Sequence, residues 1–508
     1  MSGKESYVGA IDQGTTGTRF MLFDREGRVV SSAYERHEQH YPKPGWVEHD
    51  PLEIVERTRS VIQDALAAAD CSADRLAAIG VTNQRETTVV WDRETGQPVA
   101  NAIVWQDRRT VDRIEGLGSE TREIIREATG LEPDAYFSAT KAEWLLENAP
   151  METDAGSKEL RERAADGDLC FGTIDSWLIY TLTGEHVTDV TNASRTMLYN
   201  IHDGVWDDDL LAAFGIPRAM LPEVRPSSDE ATYGSTDPDG FLGAAAPVTA
   251  ALGDQQAALF GQTCFEAGEA KNTYGTGSFF LTNTGTEAVT SDHGLLTTVA
   301  YQRSGEPVRY ALEGSIFVTG AAIEWLEDVG LIDDPGETES LARSVDSTDG
   351  VYLVPAFTGL GAPYWDGRAR GAIVGMTRGT RRAHIVRAAL ESIAFQTRDV
   401  AEAMEADIGL EITRLRVDGG AVGNDLLCQQ QADIVGVDVV RPDVDETTAL
   451  GAASAAGLAV GYWDDFDELR ANWRVDRTFE SDPTDDVDAR HDRWKQAVER
   501  ARDWAHEE

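Results

Sequence analysis

Three glycine-bearing turns, each closing an apolar run, carry more chemistry than a turn requires. The first, Asp12-Gln13-Gly14-Thr15-Thr16-Gly17-Thr18-Arg19, combines a carboxylate, two glycines, three Thr hydroxyls and a guanidinium. Successive backbone N–H groups in such a turn form an anion-binding nest, and a carboxylate beside bound phosphate usually faces Mg²⁺. The stretch reads as a phosphate and metal cradle, and equally as an ordinary Gly/Thr hairpin. The second turn is Tyr274-Gly275-Thr276-Gly277-Ser278, and the third is Asp418-Gly419-Gly420-Ala421-Val422-Gly423-Asn424. A further carboxylate, Asp254, follows the apolar run 248–252 in Gly253-Asp254-Gln255-Gln256. None of these is a Walker A loop, and none is the G-x-G-x-x-G that opens a dinucleotide-binding helix. Taken singly, each is as readily a turn, or for Asp254 a helix N-cap. Together they fit an open α/β sheet, where ligands gather at the carboxyl ends of strands.

Strands must deliver these turns. Tyr7, Val8, Ala10 and Ile11 precede the first turn and Phe20, Met21, Leu22 and Phe23 follow it, a hairpin pattern. Residues 269–282 repeat the plan of strand, Gly-Thr-Gly turn and strand, which suggests a duplicated domain. Residues 76–81 read as a buried strand ending at Thr82-Asn83-Gln84-Arg85-Glu86-Thr87. Asp50 before Pro51 opens a helix as its N-cap. Residues 312–329, 384–406 and 425–436 read as helices, and 449–460, mostly Ala and Gly, as a closely packed buried one. Alternating strands and helices predict an α/β chain with helices covering sheets.

A chain of 508 residues exceeds one hydrophobic core, so two large domains are expected. Acidic residues number 89 against 45 basic ones, for a net charge of −44. This field repels a phosphate backbone, so no nucleic-acid partner is expected. Only six of the basic residues are lysine. Such a surface suits high salt, where a Debye length of ~3 Å at molar ionic strength screens the self-repulsion. The chain is accordingly read as halophilic. No apolar run reaches the ~18 residues of a membrane span, and the first residues do not resemble a secretory signal. The four scattered cysteines fit a reducing, cytoplasmic setting.

Several segments also resemble a known family. Asp12-Gln13-Gly14-Thr15-Thr16, Asn83-Gln84-Arg85-Glu86-Thr87, Gly253-Asp254-Gln255-Gln256, Asn272-Thr273-Tyr274-Gly275-Thr276-Gly277 and Asp418-Gly419-Gly420-Ala421-Val422 are similar to the sugar kinases of the actin/hexokinase/Hsp70 superfamily. The segments YPKPGWVEHDP, NAIVWQ, TNASRTML, TGLGAPYW and TALGAA narrow the resemblance to glycerol kinases. It spans nearly the whole chain. It implies two ribonuclease-H-like, actin-type ATPase domains, 1–253 and 254–508, with mixed sheets flanked by helices and a ligand cleft between them. The implied activity is ATP-dependent, Mg²⁺-assisted phosphorylation of glycerol to sn-glycerol 3-phosphate in glycerol catabolism.

By the same resemblance Asp254 is the general base, expected across the cleft from the first turn with the γ-phosphate between. Asp12 holds Mg²⁺. Thr15, Thr16, Gly17 and Arg19 cradle the phosphates. Arg85, Glu86, Tyr136, Asp254 and Gln255 bind glycerol hydroxyls, with Trp105 and Phe279 as an apolar wall. Thr276, Gly320, Glu324, Gly420 and Asn424 lie on the nucleotide side. From the residues alone, Arg85-Glu86 reads as a surface ion pair and Trp105 and Phe279 as core. Gly17 stands where many relatives carry Ser, and Glu324 where some carry Gln. The stretch 237–244 lacks the Gly-rich, Arg-bearing loop through which some relatives bind fructose 1,6-bisphosphate, so no such regulation is expected. A homo-oligomer, dimer or tetramer, is implied. The competing readings are a kinase for a related polyol or pentulose, and a non-kinase actin-like ATPase.

Overall fold

The computed structural model describes residues 6–149, 156–231 and 233–505. Two mixed sheets organise them. The first contains β1 (Tyr7–Gln13), β2 (Gly17–Phe23), β3 (Val29–Arg36), β4 (Leu76–Asn83) and β5 (Val248–Gly253), in the order β5-β4-β1-β2-β3. β1, β2 and β3 are antiparallel neighbours, whereas β1, β4 and β5 run parallel. The second sheet contains β6 (Ala270–Tyr274), β7 (Ser278–Gly285), β8 (Leu296–Tyr301), β9 (Arg309–Ile316), β10 (Arg414–Gly419), β11 (Asp438–Pro442) and β12 (Val475–Phe479). Its order is β8-β9-β7-β6-β10-β11-β12. β6, β7 and β9 repeat the antiparallel unit and β6, β10 and β11 the parallel one. The core of the second sheet is thus the first sheet over again, with β8 and β12 added at its edges.

The echo extends to single atoms. Gly14 N donates to Gly17 O at 2.9 Å in the first hairpin, and Gly275 N to Gly277 O at 2.8 Å in the second. A Cβ at Gly17 would collide with the Glu35 carbonyl on β3, and one at Gly277 with the Ile316 carbonyl on β9. In both halves the third antiparallel strand lies so close to the turn that only glycine fits. A Ser at position 17 would need β3 to move, and Tyr34 with it.

Each sheet is covered on both faces. Helix α1 (Pro51–Ala68) is capped by Asp50, whose side chain accepts from Leu52 N. It lays Ile54, Val61, Ile62 and Ala65 on Ile11, Phe20 and Leu22. Further helices in chain order are α2 (Ser138–Asn148), α3 (Asp254–Gly261), α4 (Gly320–Asp328), α5 (Arg382–Ile408), α6 (Asp425–Val435) and α7 (Thr447–Ala459). α7 covers the other face of the first sheet, its alanines against Val8, Ala10, Ala250 and Leu252. Its small residues allow near contact with α3: a Cβ at Gly451 would overlap the Ala257 carbonyl. α7 therefore reaches from the second half of the chain onto the sheet of the first.

One helix expectation fails. Residues 312–316 belong to β9, and only Gly320–Asp328 of the 312–329 stretch is helical. β9 sits between β7 and β8, where its backbone groups are paired across two ladders, and that pairing overrides a run that could read as helix. Among the described residues no helix is long and apolar enough to cross a membrane. The four cysteines are buried and unbridged.

Candidate active site

The parallel strands bring their carboxyl ends to one edge of each sheet. On the first sheet that edge holds Asp12 and Gln13 at the end of β1, Thr82 and Asn83 at the end of β4 with Gln84 to Thr87 after it, and Asp254 after β5. Asp254 is the first residue of α3, and its Oδ1 accepts from Gln255 N at 2.7 Å. It therefore rises from the same sheet as the first turn, two strands away, and not from across the cleft as expected. Parallel strands deliver neighbours in this way. The two carboxylates also feel each other. Burial pushes Asp12 up to about 6, with Arg19 opposing and Asp254 adding. Burial raises Asp254 as well, against Arg85 and the Gln255 N–H.

Beneath Asp254 lies a charged network that the sequence motifs only half reveal. Arg85 is 2% exposed and Glu86 1%, so this is no surface pair. Arg85 Nε stands 3.2 Å from Asp254 Oδ1. Its Nη1 and Nη2 donate to Glu313 at 2.5 and 3.2 Å. Arg195 donates to Glu86 Oε1 at 2.7 Å and to Glu313 Oε1 at 2.9 Å. Burial alone would raise Glu313, but Arg195 and Arg85 outweigh it and hold the carboxyl at about 2. Lys271 donates to Gln255 Oε1 at 2.5 Å and Thr273 Oγ1 at 2.9 Å. Burial lowers its ammonium to about 8. Breaking one partner of such a buried set costs about 3–5 kcal/mol, because a charge is left uncompensated. Glu86 also adopts φ +61°, a left-handed conformation unusual for a non-glycine residue, and such strain clusters at functional sites.

Arg195, Glu313 and Lys271 were missed by motif reading. Their signal was available: each is a charge inside an otherwise apolar or small-residue stretch. Glu313 interrupts β9, and Lys271, one of six lysines, interrupts β6.

The rings of Trp105, Tyr136 and Phe279 are half-buried, with Tyr136 and Phe279 packed at the edge of core clusters. Trp105 and Tyr136 meet edge to face at 5.6 Å. The Arg85 guanidinium lies 5.5 Å from the Phe279 ring centre. Lys141 on α2, fully buried, donates to the Tyr136 carbonyl and, at 3.2 Å, to the Phe137 carbonyl, which fixes the loop that carries Tyr136. Burial lowers the Lys141 ammonium to about 7. Polar groups on one wall and aromatic faces on another suit a small polyhydroxylated molecule.

On the first turn, Thr15 Oγ1 accepts from Trp105 Nε1 at 3.0 Å. Thr16 is exposed at the tip. Arg19 forms an ion pair with Glu446, the residue before α7, and stacks over Tyr34 at 5.4 Å. The second turn is tied to the start of α4. Thr319 N and Ala321 N donate to Thr276 O at 2.9 and 3.1 Å, and Gly320 N to Gly275 O at 3.0 Å. Glu324 is exposed one helical turn further along. Gly420 begins a short 3₁₀ turn with open space about its Cα. Asn424 caps α6, accepting from Leu427 N at 3.0 Å and donating to Thr338 Oγ1 at 3.1 Å. Its side chain is thus engaged in capping within this structure.

Comparison with known proteins accounts for this arrangement. Residues 7–261 match the N-terminal domain of the FGGY family of carbohydrate kinases, and residues 270–460 match its C-terminal domain. The chain is 70% identical to a glycerol kinase of Haloferax volcanii over the whole of both chains. It is also 70% identical to one of Halobacterium salinarum, covering 99% of this chain and all of that one. The fold superposes on a crystal structure of Plasmodium falciparum glycerol kinase with ADP at a TM-score of 0.90 and 38% identity, covering 98% of each chain. The chain belongs to the glycerol kinases of the FGGY family of carbohydrate kinases.

Proposed function

We propose that the protein transfers the γ-phosphate of ATP to a primary hydroxyl of glycerol, giving sn-glycerol 3-phosphate and ADP. The observation that carries this reading is Asp254 standing on the Arg85–Glu313–Arg195–Glu86 network beside the aromatic wall. Arg85, Glu86, Tyr136 and Gln255 meet the hydroxyls, and Trp105 and Phe279 the carbon backbone. A site built to hydrogen-bond every hydroxyl penalises a ligand lacking one, since each unmatched buried group costs ~1–3 kcal/mol. Asp254 takes the proton as the hydroxyl oxygen forms its bond to the γ-phosphorus and the bond to the β-phosphate oxygen breaks. Positioning and charge neutralisation supply most of what phosphoryl transfer needs.

Thr15, Thr16, Gly17 and Arg19 cradle the phosphates, with Arg19 leaving Glu446 to do so. Thr276, Gly320, Gly420, Glu324 and Asn424 line the nucleotide side. Asp12 would hold Mg²⁺: it is a half-buried carboxylate raised to about 6 by desolvation, with Asp254 adding and Arg19 opposing. A divalent ion, when bound, offsets charge on the phosphates. We place the domain division at 253/254, supported by the first sheet ending at Gly253 and the second beginning at Ala270. A cytoplasmic, oligomeric enzyme without fructose 1,6-bisphosphate control completes the proposal.

The decisive experiment is a coupled assay with ATP and Mg²⁺ across a salt series, comparing glycerol with a pentulose and longer polyols. Glycerol should give by far the highest kcat/KM. A pentulose turned over better than glycerol would overturn the assignment.

A further inference from the structure

Behind the first turn, six residues join in a closed ring of hydrogen bonds, and chemistry dictates its direction. Trp105 can only donate. Its backbone N–H goes to Thr87 Oγ1 at 3.2 Å and its indole Nε1 to Thr15 Oγ1 at 3.0 Å. The Thr87 hydroxyl then donates to Gln84 Oε1 at 3.0 Å. That leaves the Gln84 amide nitrogen facing His49 Nδ1 at 3.3 Å, so Nδ1 accepts and the imidazole proton sits on Nε2. His49 Nε2 donates to Gln39 Oε1 at 2.8 Å, and Gln39 Nε2 donates to the Thr15 carbonyl at 2.9 Å. The two protons of Gln84 Nε2 are shared among His49 Nδ1, Gln13 Oε1 at 3.0 Å and the Gly14 carbonyl at 3.3 Å. The ring therefore grips residues 13–15 from below. It spends a lone pair of the Thr15 hydroxyl on Trp105 and leaves the hydroxyl proton to donate.

We infer that His49 is a positioning residue for phosphoryl transfer: neutral and protonated on Nε2, it holds the first turn in register and orients the Thr15 hydroxyl as a donor to phosphate. The inference rests on the reading of residues 12–19 as the phosphate turn. His49 is fully buried, with the His37 ring 4.5 Å away. Burial pushes its imidazole down to about 3, with His37 and His40 adding. The ring also runs through Trp105, so it links the polyol wall to the phosphate turn without a direct contact between the two ligands.

The test uses the full-length protein with glycerol, ATP and Mg²⁺ in high salt, and compares His49→Leu, His49→Gln and Gln39→Met. His49→Leu and Gln39→Met should lower kcat about tenfold or more, the loss expected from one or two hydrogen bonds. They should raise the KM for ATP and leave the KM for glycerol within about twofold. His49→Gln, which restores a donor toward Gln39, should recover most of the kcat. Gln39 is only half-buried, so Gln39→Met decides the matter if His49→Leu does not fold. An unchanged kcat in Gln39→Met overturns the inference, as does a His49→Gln variant no better than a folded His49→Leu. An unsubstituted protein inactive on glycerol would instead overturn the reading of the site.

Discussion

Asp12 and Asp254 are chemically alike but titrate in different company. Burial raises the Asp254 carboxyl, and Arg85, the Gln255 N–H and Lys271 oppose that rise, favouring the ionised form a general base requires at neutral pH. Asp254→Ala should therefore lower kcat by about 10²–10⁴-fold in the coupled assay, with the KM for ATP little changed. Glycerol phosphorylation that survives undiminished would remove Asp254 from the mechanism. At Asp12 burial outweighs the opposing Arg19, and Asp254 adds to it. Its folded value of about 6 exceeds the ordinary 3.8. Its contribution to stability is therefore greatest below 3.8 and is lost as pH rises through about 6. Without Mg²⁺, the melting temperature of Asp12→Asn should gain on that of the parent as pH rises across this window. Mg²⁺ should close the gap from the parent's side. Melting curves that stay parallel at every pH would contradict this account.

At the scale of elements, the contact between α3 and α7 ties Asp254, the proposed general base, to the second half of the chain. α3 begins at Asp254, and α7 begins one residue after Glu446, the ion-pair partner of Arg19. The helices approach so closely because Gly451 faces the Ala257 carbonyl. Gly451→Ala should overpack this crossing and cost about 1–3 kcal/mol, with a fall in kcat as α3 shifts under Asp254. Gly367→Ala, at an exposed loop position where a Cβ meets nothing within 4 Å, is the control. Equal denaturant midpoints for the two variants would show that the crossing tolerates a methyl group.

The whole molecule carries a net charge of −44 on a fold shared with relatives from other settings. Buried carboxylates at the site, Glu86 and Glu313, are paired with two arginines, and others such as Asp175 and Asp189 are held by hydroxyl and amide hydrogen bonds. The excess lies on the surface, where its self-repulsion depends on screening. Melting temperature and activity should both rise with KCl up to molar concentrations. Full activity and an unchanged melting temperature at ~0.1 M, where screening is weak, would refute this.

Much of the molecule is determined by short stretches whose residues are neighbours in the chain. Asp12 to Arg19, Arg85-Glu86 and Asp254-Gln255 were legible because a turn and its strand form a local unit. The duplicated plan was legible because Gly17 and Gly277 answer the same steric demand. Charge content alone pointed to salt. What the tertiary structure decided is which distant charges meet. Arg195 and Glu313 are 118 residues apart in the chain and share a hydrogen bond, and no local pattern specifies that. It also decided that 312–316 is a strand, since ladder pairing with β7 throughout, and with β8 at 312 and 313, outweighs helical spacing. And it placed Asp254 on the same sheet edge as the first turn, because β5, β4 and β1 run parallel and end together.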